Sequence, residues 1–242
     1  MPEYRNPPLT EAACEFRFDS GEPWDPTIFG LLYDRLKNSF PLRRTVKAIE
    51  TAQRQEGDGR VQEVTVSDQI QFLSTKGEAL VQVRPNVLSV HHLKPYPGWA
   101  SFQALAVKSF ETYRDVASPK GLTRIGLRYI NRFEFPAPEI DPSDYFELYP
   151  HIGPTLPQRY YGGIAGIHIP YQEDHGVLRI TMRDLAEGLP LRVALDMDYF
   201  LDEPGAVKLE EVQGWLLKAH ARISAVFEGS IKERTRKLLE AR

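Results

Sequence analysis

LTRIGLRYINRFEF, residues 122–135, alternates more strictly than any other stretch of the chain and lies almost at its middle. In an extended strand Ile125, Leu127, Tyr129, Phe133 and Phe135 project to one side, and Arg124, Arg128, Arg132 and Glu134 to the other. One side is therefore core, and the other carries guanidinium groups. A ladder of arginines on one strand face is either an anion site or a solvated surface paired with carboxylates on its neighbours, and both leave the same mark in sequence.

Working outward, this segment separates two halves, 1–121 and 122–242, with the same order of predicted elements and no residue-level identity. Upstream, residues 10–18 alternate Cys14, Phe16 and Phe18 against Glu11, Glu15 and Arg17, which predicts a first strand. Asp25 and Pro26 open a helix carrying Ile28, Leu31, Leu32 and Leu36, ended by Pro41. The polar run 45–59, with Gly57, Asp58 and Gly59, reads as a loop or an irregular strand. A meander of VQEVTV, QIQFLST, ALVQV and VLSVHHL follows, then a helix with Trp99, Phe102, Leu105, Ala106, Ser109 and Tyr113 on one stripe. Downstream come a short helical candidate between Asp141 and Tyr149 and the runs GIAGIHIPY, GVLRITMRD and PLRVALDMDYF. A long amphipathic helix burying Val212, Trp215, Leu216, Ala219, Ile223, Val226 and Phe227 ends the chain.

Each half reads strand, helix, meander, helix, the first with one extra strand. Joined through their leading strands they predict one structural unit of α+β class: a curved antiparallel sheet with helices on one face, the saddle of TATA-binding-protein-like folds. A helix-grip fold, one curved sheet wrapped on the final helix, is the alternative.

Composition bounds the function. With 242 residues and 42% hydrophobic content the chain supports a substantial core, and 30 basic against 33 acidic side chains leave a net charge of -3, so no global field recruits nucleic acid. Cys14 is the single cysteine, which excludes a disulfide framework and a multi-cysteine zinc site. MPEYRNPPLTEA has no apolar run of signal-peptide type and no later segment has membrane-spanning length, so a cytoplasmic location is expected.

The segments NPPLTEAACEFRF, RIGLRYINRFEF and AHARISAVFEGSIKERTRKLL resemble a sporadically distributed bacterial family of uncharacterised proteins, most specifically over Asn6 to Glu11 and Arg128 to Arg132. The resemblance covers nearly the whole chain and implies a patchy, mobile distribution of the kind found in defence or toxin–antitoxin loci. It transfers no catalytic residue.

The alternation assigns Glu15, Arg17, Arg124, Arg128, Arg132, Arg179, Arg183 and Arg192 to the uncovered sheet face as candidate contacts for a protein partner or an anionic ligand. Glu11, Thr181, Asp196 and Asp198 share that face, and the two aspartates form a weak Mg²⁺ candidate for phosphate chemistry. Nucleic acid is disfavoured, because the aromatics fall mainly on the core face. His91 and His92 are sequential on a strand and point apart, and His168, Glu173, Asp174 and His175 read as a polar turn. No P-loop, GxSxG or HExxH segment is present. The charged terminus KERTRKLLEAR is a second docking candidate, for self-association or a partner. The leading expectation is a non-enzymatic bacterial accessory protein, with a metal-dependent phosphate enzyme and nucleic-acid binding as alternatives.

Overall fold

β1 (Leu9–Asp19) and β6 (Gly121–Phe135) lie side by side in the sheet, antiparallel, from Leu9 opposite Asn131 to Asp19 opposite Gly121. The computed structural model describes residues 4–56, 59–137, 139–157, 162–184, 190–201 and 203–240, with the backbone alone over 48–56 and 59–67. On the β1 side the sheet continues through β5 (Val87–Leu93), β4 (Ala79–Arg84), β3 (Gly59–Leu73) and β2 (Leu42–Glu56). On the β6 side follow β9 (Leu191–Leu201), β8 (Gly176–Asp184) and β7 (Ile164–Tyr171), all antiparallel.

The nine-stranded sheet is open, with β2 and β7 as its edges, and it neither closes nor curls strongly. The curved saddle and the helix-grip alternative are therefore both corrected. Alternation reports which side of a strand is buried, whereas curvature depends on twist, bulges and what packs across the strands, which alternation does not encode.

α1 (Thr27–Leu36), α2 (Trp99–Ala117) and α3 (Val212–Ser230) cover one face. Asp25 accepts a hydrogen bond from the Thr27 amide at 2.8 Å, satisfying a free donor at the start of α1. Phe16 and Phe18 on β1 pack on Phe110 and Tyr113 of α2, with Phe18 and Tyr113 stacked at 4.3 Å. Tyr129 on β6 shares a hydrogen bond with His220 of α3 at 2.9 Å, and that ring lies flat on Trp99 at 4.0 Å. Each fully buried aromatic of this layer contributes about 1.5–3 kcal/mol relative to exposure.

Three local expectations change. The polar run 45–59 is mostly strand, because β2 pairs with β3 in unbroken register from Leu42 opposite Leu73 to Glu56 opposite Gly59, and VQEVTV and QIQFLST fuse into β3. The turn expected at Gly57 and Asp58 and the terminal Ala241 and Arg242 lie outside the described residues. The short helix between Asp141 and Tyr149 is only a 3-10 turn at Pro142–Asp144. The final helix is two, since Ile231 is extended and bridges Phe146 before α4 (Glu233–Glu240) begins. Among the described residues no helix is long and apolar enough to cross a membrane.

Candidate functional site

Strand register brings all eight arginine and glutamate candidates, with Asp196 and Asp198, to the face that no helix covers. Most of that charge is wired together. Arg124 donates to Glu15 at 2.8 Å and to Asp198 at 3.2 Å, Arg179 donates to Asp198 at 2.9 Å, and Arg17 donates to Glu15 at 2.8 Å. Gly126 makes this wiring possible: a Cβ there would lie 2.8 Å from Nη1 of Arg124, whose guanidinium runs across the glycine and over the Phe200 ring at 5.0 Å.

Arg128 grips Asp196 with two bonds, at 2.7 and 2.5 Å, in the fork geometry that favours arginine over lysine. Arg192 donates to Glu134 at 3.1 Å. Arg132 and Arg183 differ: among the described residues neither guanidinium has a carboxylate partner, and they flank Ala194 of β9, which is 1% exposed.

Burial pushes the Asp198 carboxyl above its ordinary range despite the arginines around it, because its side chain is only 8% exposed. Burial acts in the same direction on Glu15, but Arg17, Arg124 and Arg84 outweigh it and hold that carboxyl low. The Asp196 and Asp198 pair fits Mg²⁺ poorly, since a divalent ion would have to displace guanidinium groups already bonded to both carboxylates. No group of three or more metal-ligating side chains stands together among the described residues. Around the β7–β8 turn, His175 pairs with Glu203 at 2.8 Å and Asp174 with Arg222 at 2.8 Å.

The two segments with the most specific pattern, Asn6 to Glu11 and Arg128 to Arg132, meet on neighbouring strands. The Arg132 amide donates to the Pro8 carbonyl at 2.7 Å and the Thr10 hydroxyl to the Ile130 carbonyl at 2.9 Å. Glu11, beside Arg128, is also bonded to His91 at 2.8 Å, and that hydrogen bond holds its carboxyl below the usual range. His91 in turn meets Ser89 at 3.0 Å. Farther along the face Arg44 donates to Gln71 at 2.6 Å and Gln71 to Gln82 at 2.6 Å, so a polar row spans β2, β3 and β4 and ends beside Ser89. Sequence reasoning missed this row, because only the strand order makes Arg44, Gln71 and Gln82 neighbours.

The terminal helix is less available than its stripe suggested. Leu239 is buried, its carbonyl accepts from the Asn6 amide at 2.9 Å, and the buried Thr235 hydroxyl donates to the Tyr145 carbonyl. α4 is thus docked on its own chain.

No protein family, no curated protein and no solved structure matches the chain.

Proposed function

We propose that the chain is a binding protein that engages an acidic segment of a protein partner through the uncovered face of its sheet. The observation that carries this reading is an excess of arginine on that face of a net-acidic chain. Among the residues whose side chains are described, and with Arg44 and Arg84 included, the strands present nine arginines there against six carboxylates, Glu11, Glu15, Asp19, Glu134, Asp196 and Asp198. Arg132 and Arg183 form its receptive part, because every bond they make to an incoming carboxylate is new, whereas Arg128 would first have to leave Asp196. Phe200 is the single aromatic side chain of this face among the described strands, which disfavours stacked bases and hence single-stranded nucleic acid. An accessory role in a mobile defence or toxin–antitoxin locus follows from the family resemblance and is part of the same proposal.

Fluorescence anisotropy with a labelled poly-L-glutamate peptide and a labelled single-stranded oligonucleotide tests it. The peptide should bind at low salt, weaken as salt rises, and lose about tenfold in affinity, the equivalent of about 1.4 kcal/mol, in Arg132→Ala/Arg183→Ala. No peptide binding by the wild-type chain, or tighter oligonucleotide binding lost in the same variant, overturns the reading.

A further inference from the structure

We infer that Ser89, His91 and Glu11 form a nucleophile, base and orienting acid, and that this sheet face can cleave carboxylic esters. The inference is independent of the arginine reading, since none of the three residues belongs to the Arg132 and Arg183 pair. Ser89 and His91 stand two apart on β5 and so project to the same side. Across the strand boundary the register partner of His91 is Ala13, whose methyl leaves room for the imidazole to reach diagonally to Glu11. Oε1 of Glu11 lies 2.8 Å from Nδ1 of His91, and Nε2 of His91 lies 3.0 Å from Oγ of Ser89.

The hydrogen-bond roles follow from the donors. An ionised carboxylate only accepts, so Nδ1–H donates to Glu11; in the neutral ring Nε2 is then the acceptor, and the serine hydroxyl donates to it. That is the order a nucleophilic serine requires: base in contact with nucleophile, and base oriented by a third group. Constellations of this kind are recognised by geometry and roles, which is how one can exist here without any GxSxG turn.

A donor for the developing oxyanion stands beside the nucleophile. Gln82 is the register partner of Ser89 on β4, and its carbonyl oxygen is occupied by Gln71, whose own carbonyl is occupied by Arg44. The row therefore orients the Gln82 amide with its N–H hydrogens uncommitted within it. Ser89 is 5% exposed and lies on the sheet face that no helix covers.

In the reaction, Ser89 Oγ bonds to the ester carbonyl carbon as its proton passes to Nε2 of His91. The bond from that carbon to the alcohol oxygen then breaks, and the departing alcohol takes the proton. Water attacks the acyl-serine, gives its proton to His91, and releases the carboxylic acid as the proton returns to Oγ. Ser89 and His91 are the catalytic residues and Glu11 is a positioning residue.

The test uses a fluorophosphonate probe on the full chain, in which Ser89 Oγ bonds to phosphorus and fluoride leaves. Peptide mass spectrometry should place the adduct on Ser89, and Ser89→Ala, which removes one oxygen, should abolish it. His91→Ala should slow labelling by about 100-fold or more. Glu11→Gln should lower the limiting labelling rate while leaving the probe's half-saturating concentration unchanged, a split that lost folding does not produce. An unlabelled wild-type chain, an adduct on another serine, or a Ser89 adduct formed at the same rate in His91→Ala overturns the inference. Poly-L-glutamate binding plays no part in any of these outcomes, so this reading and the preceding one fail separately.

Discussion

Arg124 reaches both Glu15 and Asp198 because Gly126, two residues along β6, puts no atom in the way of its guanidinium. Adding a methyl there has two opposed effects. Alanine is the better strand residue, since glycine loses more backbone freedom on folding. Against that, the Cβ would sit 2.8 Å from Nη1 of Arg124, so the guanidinium must move and Asp198 keeps only Arg179 among its bonded partners. Charge-assisted bonds to a carboxylate this buried outweigh the propensity gain, and Gly126→Ala should cost about 1–3 kcal/mol in urea unfolding. In an Arg124→Met background the same change should be neutral or stabilising, and equal costs in both backgrounds would show that the glycine serves the backbone instead. The outward set, Arg124, Arg128 and Arg132 on β6 with Asp196 and Asp198 on β9, was legible because strand alternation is strict. The pairing within it was not, because Arg128 bonds Asp196 diagonally instead of Asp198, its register partner. Likewise His91 could be placed on a face, but its contact with Glu11 depends on β5 lying beside β1.

Among elements, the segment after β6 is where the halves differ most. The first half places α1 in the covering layer, whereas the second has only the 3-10 turn at Pro142–Asp144, anchored by Phe146. Phe146 is fully buried, meets Phe133 edge-on at 5.1 Å, and bridges Ile231 at the joint between α3 and α4. It therefore holds both the substitute for a helix and the break in the C-terminal one. Phe146→Ala should cost about 3–5 kcal/mol, and proteolysis should then cut first near residues 231–232, where the extended joint loses its strand-like partner. Unchanged resistance to cutting at residues 231–232 would show that the contacts of Leu239, Thr235 and Lys232 hold the joint without Phe146. This arrangement was hidden in sequence because the apolar stripe of α3 continues through Ile231 and Leu238 into α4, so periodicity reads across a break made by tertiary contact. β2 was hidden for the complementary reason: its residues are polar, and backbone pairing with β3 makes it a strand. At the far edge Ile167, the register partner of the buried Ile180 on the helix side, is exposed, which matches the missing second helix over that end of the sheet.

For the molecule as a whole, the contact between α2 and α3, the helices of the two halves, sets its response to acid. His220 on α3 is stacked on Trp99 at the start of α2 and shares its Nδ1 with the Tyr129 hydroxyl. Burial pushes its pKa from the ordinary 6.5 down to about 4. The folded state thus holds the neutral ring, and the unfolded chain takes up the proton first. The stabilisation is complete above pH 6.5 and is lost as pH falls from there to about 4. Glu11 and Glu15, held below their ordinary 4.5, lose their contribution only at lower pH. Asp198 works in the opposite direction, because burial raises its pKa and the folded state accepts the proton more readily than the unfolded chain. The decline between pH 6.5 and about 4.5 is therefore assigned to His220, partly offset by Asp198. His220→Phe keeps an aromatic ring on Trp99 and removes the titrating nitrogen, at the cost of one hydrogen bond, about 1 kcal/mol. Urea midpoints at pH 7.5 and pH 5 should converge in the variant and differ in the wild-type chain. An equal drop in both would mean that protonation elsewhere, among the other five histidines, loosens the fold, and that the Trp99 and His220 stack is a packing contact without a role in acid response.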